Sequence, residues 1–167
     1  MNRTCRRHRW LCDLTGALML AAPFANAANF TVTSLADSGS GSLRDVVAAA
    51  ASGDSITISA TGTLTLTSGE IPVTKALTIT GPGSSALTIS GGGVSRIFKV
   101  SVTTSGAADA PLTLSGVTLA NGYATGTCPA PSTGSGGAIA ATESLSLTDV
   151  AITSSYAARN GGGLAWA

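Results

Sequence analysis

Residues that could carry acid–base chemistry are few and stand far apart in this 167-residue sequence. Glycoside hydrolysis needs two neighbouring carboxyl groups, and a calcium site needs several oxygen ligands. No D-D, D-x-D or E-x-x-D pattern occurs. Beyond residue 27 the acids occur singly, at Asp37, Asp45, Asp54, Glu70, Asp109, Glu143 and Asp149.

The basic residues beyond residue 27 are equally dispersed. The candidate bases among them are Lys75, Arg96, Lys99 and Arg159. The sequence has no metal-ligand spacing and no P-loop, and its glycine clusters "GGGVSRIF" and "NGGGLA" fit turns. We therefore predict no catalytic, cofactor-binding or metal-binding residues, and a protein that is not an enzyme.

The first 27 residues have the pattern of a secretory signal. Four arginines precede the apolar run "LTGALMLAAPF", and the small-residue segment "ANA" closes the region. The clean apolar run, residues 14–24, is too short to span a bilayer, so we predict cleavage after Ala27 and no transmembrane helix in the mature chain. The formal net charge of +1 gives no electrostatic reason to expect nucleic acid. After cleavage the mature chain would keep five basic and seven acidic residues, a net charge of −2.

Cys128 is the one cysteine that remains after removal of the signal, and no histidine remains. A lone thiol cannot form an internal disulfide bond. Cys128 is either an incidental loop residue, the interpretation we favour, or an intermolecular or reactive thiol.

Short segments of alternating residues follow the signal, such as "SITIS", "TLTLTS", "ALTIT" and "ALTIS". Alternation of Leu, Ile or Val with Thr or Ser places apolar side chains on one face of a strand and hydroxyls on the other. Glycine-rich turns separate the segments. Many short strands of this kind suit a sandwich, a barrel or a solenoid.

An internal repeat decides in favour of the solenoid. "LTLSGVTLANGYA" (112–124) aligns without gaps on "LSLTDVAITSSYA" (145–157), and "GGAIA" (136–140) matches "GGGLA" (161–165). The length difference falls in one variable loop, 125–135. A unit that repeats with variation in a single loop predicts the stacked coils of a parallel solenoid.

One helical pattern, in "GSGSLRDVVAAAASGD", precedes the coils. Leu43, Val46, Val47 and Ala50 share one helical face, Ser42 suits the N-cap with Asp45 as its partner, and Gly53 suits the C′ position.

We predict that this helix covers the first coil. The neighbouring Arg44 and Asp45 could form a catalytic or ligand pair, but we interpret them as structural, with Arg44 on the exposed side.

The region from "FTVTSLADSGSGSLRDVVAAAASGDSITI" to "GPGSSALTISG" resembles the N-terminal part of bacterial exported right-handed parallel β-helix proteins, which carry GSLRD-type or CSLREA-like segments. "GGAI" and "GGGL" are similar to half of the polymorphic outer membrane protein repeat, whose F-x-x-N companion is absent. The resemblance implies a pectin-lyase-like fold at the cell surface or outside the cell, and it carries over no functional residue.

The expected organisation is a signal peptide (1–27), an N-terminal strand with a capping helix (28–55), and coils of an all-β, right-handed parallel β-helix (56–167) whose C-terminal end is incomplete. The expected function is that of a non-catalytic, adhesin-like or structural module, a portion of a longer repeat protein, with surface glycans or cell-surface proteins as partners. Alternatives are a polysaccharide lyase or hydrolase of the same fold, and a truncated remnant without function of its own.

Overall fold

The computed structural model describes residues 27–101, 111–125 and 135–166. The predicted signal, apart from Ala27, lies outside these residues, as do Cys128, Asp109 and most of the variable loop. One helix, α1 (Leu43–Ala49), accompanies the strands of the described part. These strands are β1 (Asn29–Val32), β2 (Ser55–Ile58), β3 (Gly62–Thr65), β4 (Ile71–Val73), β5 (Leu77–Thr80), β6 (Leu87–Ser90), β7 (Phe98–Val100), β8 (Leu112–Ala120), β9 (Tyr123–Ala124), β10 (Ile139–Ala141), β11 (Leu145–Thr153), β12 (Tyr156–Ala157) and β13 (Leu164–Trp166).

The strands form three sheets in which every recorded strand pairing is parallel. The largest runs β1-β2-β5-β8-β6-β3, with β11 paired to the other side of β8. The second runs β13-β10-β7-β4, and the third joins β12 to β9. The protein is therefore mostly β, with parallel sheets and one short helix, in agreement with the predicted all-β class.

The large sheet has two halves that meet within β8. Residues 112–115 of β8 pair with β5, whereas residues 118–120 pair with β6. We call β1, β2, β5 and residues 112–115 and 145–148 the front half-sheet. The rear half-sheet contains β3, β6 and residues 118–120 and 151–153. Gly116, at φ +66°, lies at the bend between them.

The alternating segments place their apolar residues in one common core, as the sequence predicts. Ile56, Ile79 and Leu114, on neighbouring strands of the front half-sheet, have exposed fractions of 0–1%. Ile71 and Phe98, from the second sheet, belong to the same core. In the front half-sheet the hydroxyl residues that alternate with them, such as Thr57 and Thr78, face outward.

The two repeated segments pair in the register of the sequence alignment. Leu112 lies opposite Leu145 and Tyr123 opposite Tyr156. Ile139 of "GGAIA" lies opposite Leu164 of "GGGLA". The alignment therefore predicted which residues are neighbours in space.

Helix α1 begins where the sequence predicts and ends before the predicted position. Ser42 is its N-cap, since Ser42 Oγ accepts a hydrogen bond from Asp45 N–H at 3.3 Å. Leu43, Val47 and Ala50 are buried, and the helix packs against β1, β2 and β4. The prediction of Gly53 at C′ is wrong.

The helix ends early because Ala50 is already extended and is its C-cap. The Lys75 ammonium donates hydrogen bonds to the carbonyls of Ala48, at 2.9 Å, and Ala50. A cation at this end satisfies free carbonyl groups and complements the helix dipole.

Candidate functional site

A cleft of about 320 Å³ opens beside the second sheet and is a candidate site for ligand binding. Glu70 lies directly before β4, Arg96 shortly before β7, Lys99 within β7, and Tyr123 at the start of β9. These four residues line the cleft together with Val94, Ser95, Ala124 and Thr125. The parallel sheet thus assembles residues that the sequence disperses over more than fifty positions.

Arg96 holds the wall of this cleft together. Its side chain is buried, and its Nη1 contacts Glu70 Oε2 at 2.8 Å. Arg96 Nε and Nη2 donate to the carbonyls of Gly136 and Ser135, each at 2.8 Å. Because these donors bind protein acceptors, the main role of the guanidinium is to join three segments of the chain.

Lys99 and Tyr123 present the cleft with a cation and an aromatic ring. Lys99 is exposed at the middle of β7, between Pro72 of β4 and Ala140 of β10. The Tyr123 ring stacks on Tyr156 with a centroid distance of 5.2 Å and an interplanar angle of 20°. Tyr156 is 55% exposed, so the stacked pair forms an accessible apolar platform.

A second ion pair corrects the prediction for Arg44. Arg44 is largely buried rather than exposed, and it pairs with Asp37 rather than with Asp45. Its Nη2 lies 2.7 Å from Asp37 Oδ1 and donates to the Gly69 carbonyl at 2.6 Å, while its Nη1 donates to the Glu70 carbonyl at 2.9 Å. Arg44 thereby ties α1 to the segment that carries the cleft residue Glu70. The prediction that it is structural agrees with these contacts.

The carboxylate of Asp37 is held in its charged form. Its partial burial alone would raise the pKa, but hydrogen bonds from Ser68, Arg44 and Thr67 outweigh burial and hold the pKa well below its usual range. Asp37 Oδ2 accepts from Ser68 N–H at 2.7 Å and from Thr67 Oγ1 at 3.1 Å.

Two other described acids, Asp54 and Asp149, serve separate local roles. Asp54 accepts from the N–H groups of Ala28 and Ala51, which lower its pKa. Asp149 accepts from Oγ and N–H of Ser84, at 2.6 and 3.2 Å, and these bonds lower its pKa. Within residues 27–101, 111–125 and 135–166, no three His, Cys, Asp or Glu side chains lie together as a metal site would require.

Sequence reasoning missed both the cleft and the tyrosine platform. The tyrosine platform could have been predicted from the sequence, because the aligned segments "NGYA" and "SSYA" place Tyr123 opposite Tyr156. No sequence pattern predicts the ion pair of the cleft, because Arg96 and Glu70 are 26 positions apart.

No family model, curated protein or solved structure matches this chain. No helix among the described residues is long and apolar enough to cross a membrane.

Proposed function

We propose that this chain is an exported, right-handed parallel β-helix module of the pectin-lyase-like type that binds surface glycans without cleaving them. The parallel register of three sheets supports the β-helix, since every recorded strand pairing joins residues 23 or more positions apart. Parallel crossovers are right-handed in nearly all proteins. On this proposal α1 covers the first coil, and the module acts at the cell surface or in the medium.

The observation that carries the binding function is the tyrosine platform beside Lys99. A flat aromatic surface can pack against the apolar face of a sugar ring, and an adjacent cation can contact its hydroxyl or carboxylate oxygens. Arg96 and Glu70, which contact each other, stiffen the wall of the cleft. The arrangement presents an aromatic surface and an exposed lysine without a pair of neighbouring carboxylates, which favours recognition over bond cleavage.

The test compares glycan binding by the purified protein and by variants of the platform. Tyr123→Ala should raise the dissociation constant roughly twofold to tenfold, since an aromatic contact contributes about 0.5–1.5 kcal/mol. Tyr123→Phe keeps the ring and should bind normally. Trp166→Ala is the matched control, because it removes an exposed aromatic ring that does not line the cleft.

Two results would contradict the proposal. The first is equal binding by the wild type and Tyr123→Ala across a glycan array. The second is cleavage of uronate polysaccharides by the purified protein in the presence of calcium, which would favour the lyase or hydrolase alternative.

A further inference from the structure

The outer face of the front half-sheet carries a two-column array of hydroxyl side chains. Strand pairing aligns the members of each column across five strands. The first column is Asn29, Ser55, Thr78, Thr113 and Ser146, and the second is Thr31, Thr57, Thr80, Ser115 and Thr148. Nine of these ten residues are Ser or Thr.

The backbone fixes the spacing of this array in two directions. Neighbouring strands lie about 4.8 Å apart, and residues i and i+2 of one strand are about 6.6 Å apart. Threonine has a restricted χ1 angle, so its methyl and hydroxyl groups are held in a narrow set of positions. Ile56, Ile79 and Leu114 pack beneath the hydroxyl array and are fully buried, which makes the array rigid.

The rear half-sheet shows that the array is not a general consequence of the fold. Its corresponding outer positions include Ala120 and Ala151, which have no hydroxyl group. Ser90 is buried and accepts from Gly92 N–H, and Thr118 donates to the Ser84 carbonyl at 2.6 Å. Strands β8 and β11 therefore carry a continuous hydroxyl array in the front half-sheet and an interrupted one in the rear half-sheet.

We propose that the hydroxyl array of the front half-sheet binds the surface of ice. Water molecules on ice faces repeat in two directions at distances close to the two spacings of the array. Hydroxyl groups can join that lattice by hydrogen bonds, while the threonine methyl groups order the water between them. The array contains no charged side chain, and charge would hold a hydration shell that does not match ice.

Ice fits this face better than a single glycan chain does. A sugar chain repeats in one direction, whereas the array is ordered in two, with five positions along each column and two columns side by side. The tyrosine platform that suits a sugar ring lies on β9 and β12, outside the array. In the array itself the structure records one contact between hydroxyls, Ser115 Oγ to Thr80 Oγ1 at 3.4 Å, so the hydroxyls face solvent more than each other.

The experiment measures ice partition and thermal hysteresis of the purified protein. We expect the protein to enter growing ice, to shape the crystals, and to lower the freezing point below the melting point. Thr80→Tyr, at the centre of the second column, should lose most of the hysteresis. Tyrosine is favourable in strands, so the variant should keep its fold, which circular dichroism and the melting temperature check.

Thr63→Tyr is the matched control, because it places the same ring on an exposed position of β3 in the rear half-sheet. It should keep the hysteresis of the wild type. If Thr80→Tyr does not fold, Thr57→Lys disrupts the array in a second way, by placing a charge in the same column.

Three results would overturn the proposal. One is exclusion of the folded wild-type protein from ice. Another is an equal loss in Thr63→Tyr and Thr80→Tyr. The third is binding to crystalline cellulose or chitin, abolished by Thr80→Tyr, with no effect on ice; this would assign the face to a polysaccharide crystal.

Discussion

Strands β8 and β11 share one sequence pattern and have different surroundings. Both are nine residues long and pair with each other in register. The inward residues of β8, which are Leu112, Leu114, Val117 and Leu119, are fully buried. Their counterparts in β11, which are Leu145, Leu147, Val150 and Ile152, are only partly buried.

Neighbouring strands explain the difference. β8 lies between β11 on one side and β5 and β6 on the other, whereas β11 pairs only with β8 among the described residues. The alternation of residue types therefore sets which face a side chain takes, and the number of adjacent strands sets how deeply that side chain is buried.

The largest expected effect is on the core beneath the two strands. Leu114→Ala should lower the free energy of unfolding by about 2–5 kcal/mol, because it leaves a cavity in a closed core. Leu147→Ala, at the paired position in β11, should cost roughly 1–2 kcal/mol, since less apolar area is lost. Urea denaturation of both variants measures the difference. Equal losses would show that β11 is as well covered as β8.

A smaller effect is expected at the bend that the two strands share. Gly116 has φ +66°, and an added Cβ would lie 2.7 Å from the Gly81 carbonyl oxygen. Gly116→Ala should therefore cost about 1–3 kcal/mol, the range for a side chain forced into left-handed backbone.

The same bend in β11 is formed by Asp149, at φ +50°. Asp149→Gly relieves this conformation but removes the acceptor for Ser84, so its net effect on the midpoint of urea unfolding should be smaller than that of Gly116→Ala. The opposite order would mean that the close approach to Gly81 is unimportant.

The smallest effect expected is the response of the β11 bend to acid. The Ser84 hydrogen bonds lower the pKa of Asp149 in the folded state, so its contribution to stability is fully present above the ordinary Asp pKa of about 4. This contribution is lost as the pH falls through the lowered pKa.

Unfolding measured between pH 7 and pH 2 should show this loss, and Asp149→Asn should reduce it. Ser84→Ala removes one donor and should reduce it partly. Asp37→Asn should also flatten the acid response, because the Asp37 pKa is lowered as well, but without involving β11. An acid response unchanged in Asp149→Asn would contradict the assigned contact.

The sequence predicted those features that depend on a local pattern. Alternation predicted the inward face of β2 and β5, and the gapless repeat predicted the register of β11 on β8. The N-cap at Ser42 followed from residue type and spacing.

The remaining features depend on contacts between distant segments. Arg44 lies on a helix of ordinary pattern, and nothing in that pattern indicates that Asp37 and the Gly69 carbonyl surround it. The end of α1 was misplaced for a related reason: Lys75, 25 positions beyond Ala50, donates to the terminal carbonyls. The cleft likewise exists only once Glu70, Arg96 and Tyr123 are brought together by strand stacking.

Engineered disulfide formation tests most directly whether β11 lies parallel to β8 with Thr113 beside Ser146. In a background with the native cysteines replaced by serine, Thr113→Cys/Ser146→Cys places two thiols on adjacent positions about 4.8 Å apart at Cα. Thr113→Cys/Thr148→Cys is offset by two residues and separates them by about 8 Å, beyond the reach of a disulfide bond. Mass spectrometry after oxidation and alkylation should show an intrachain disulfide in the first variant and free thiols in the second. A disulfide in the second variant and not in the first would contradict the register and the hydroxyl array built on it.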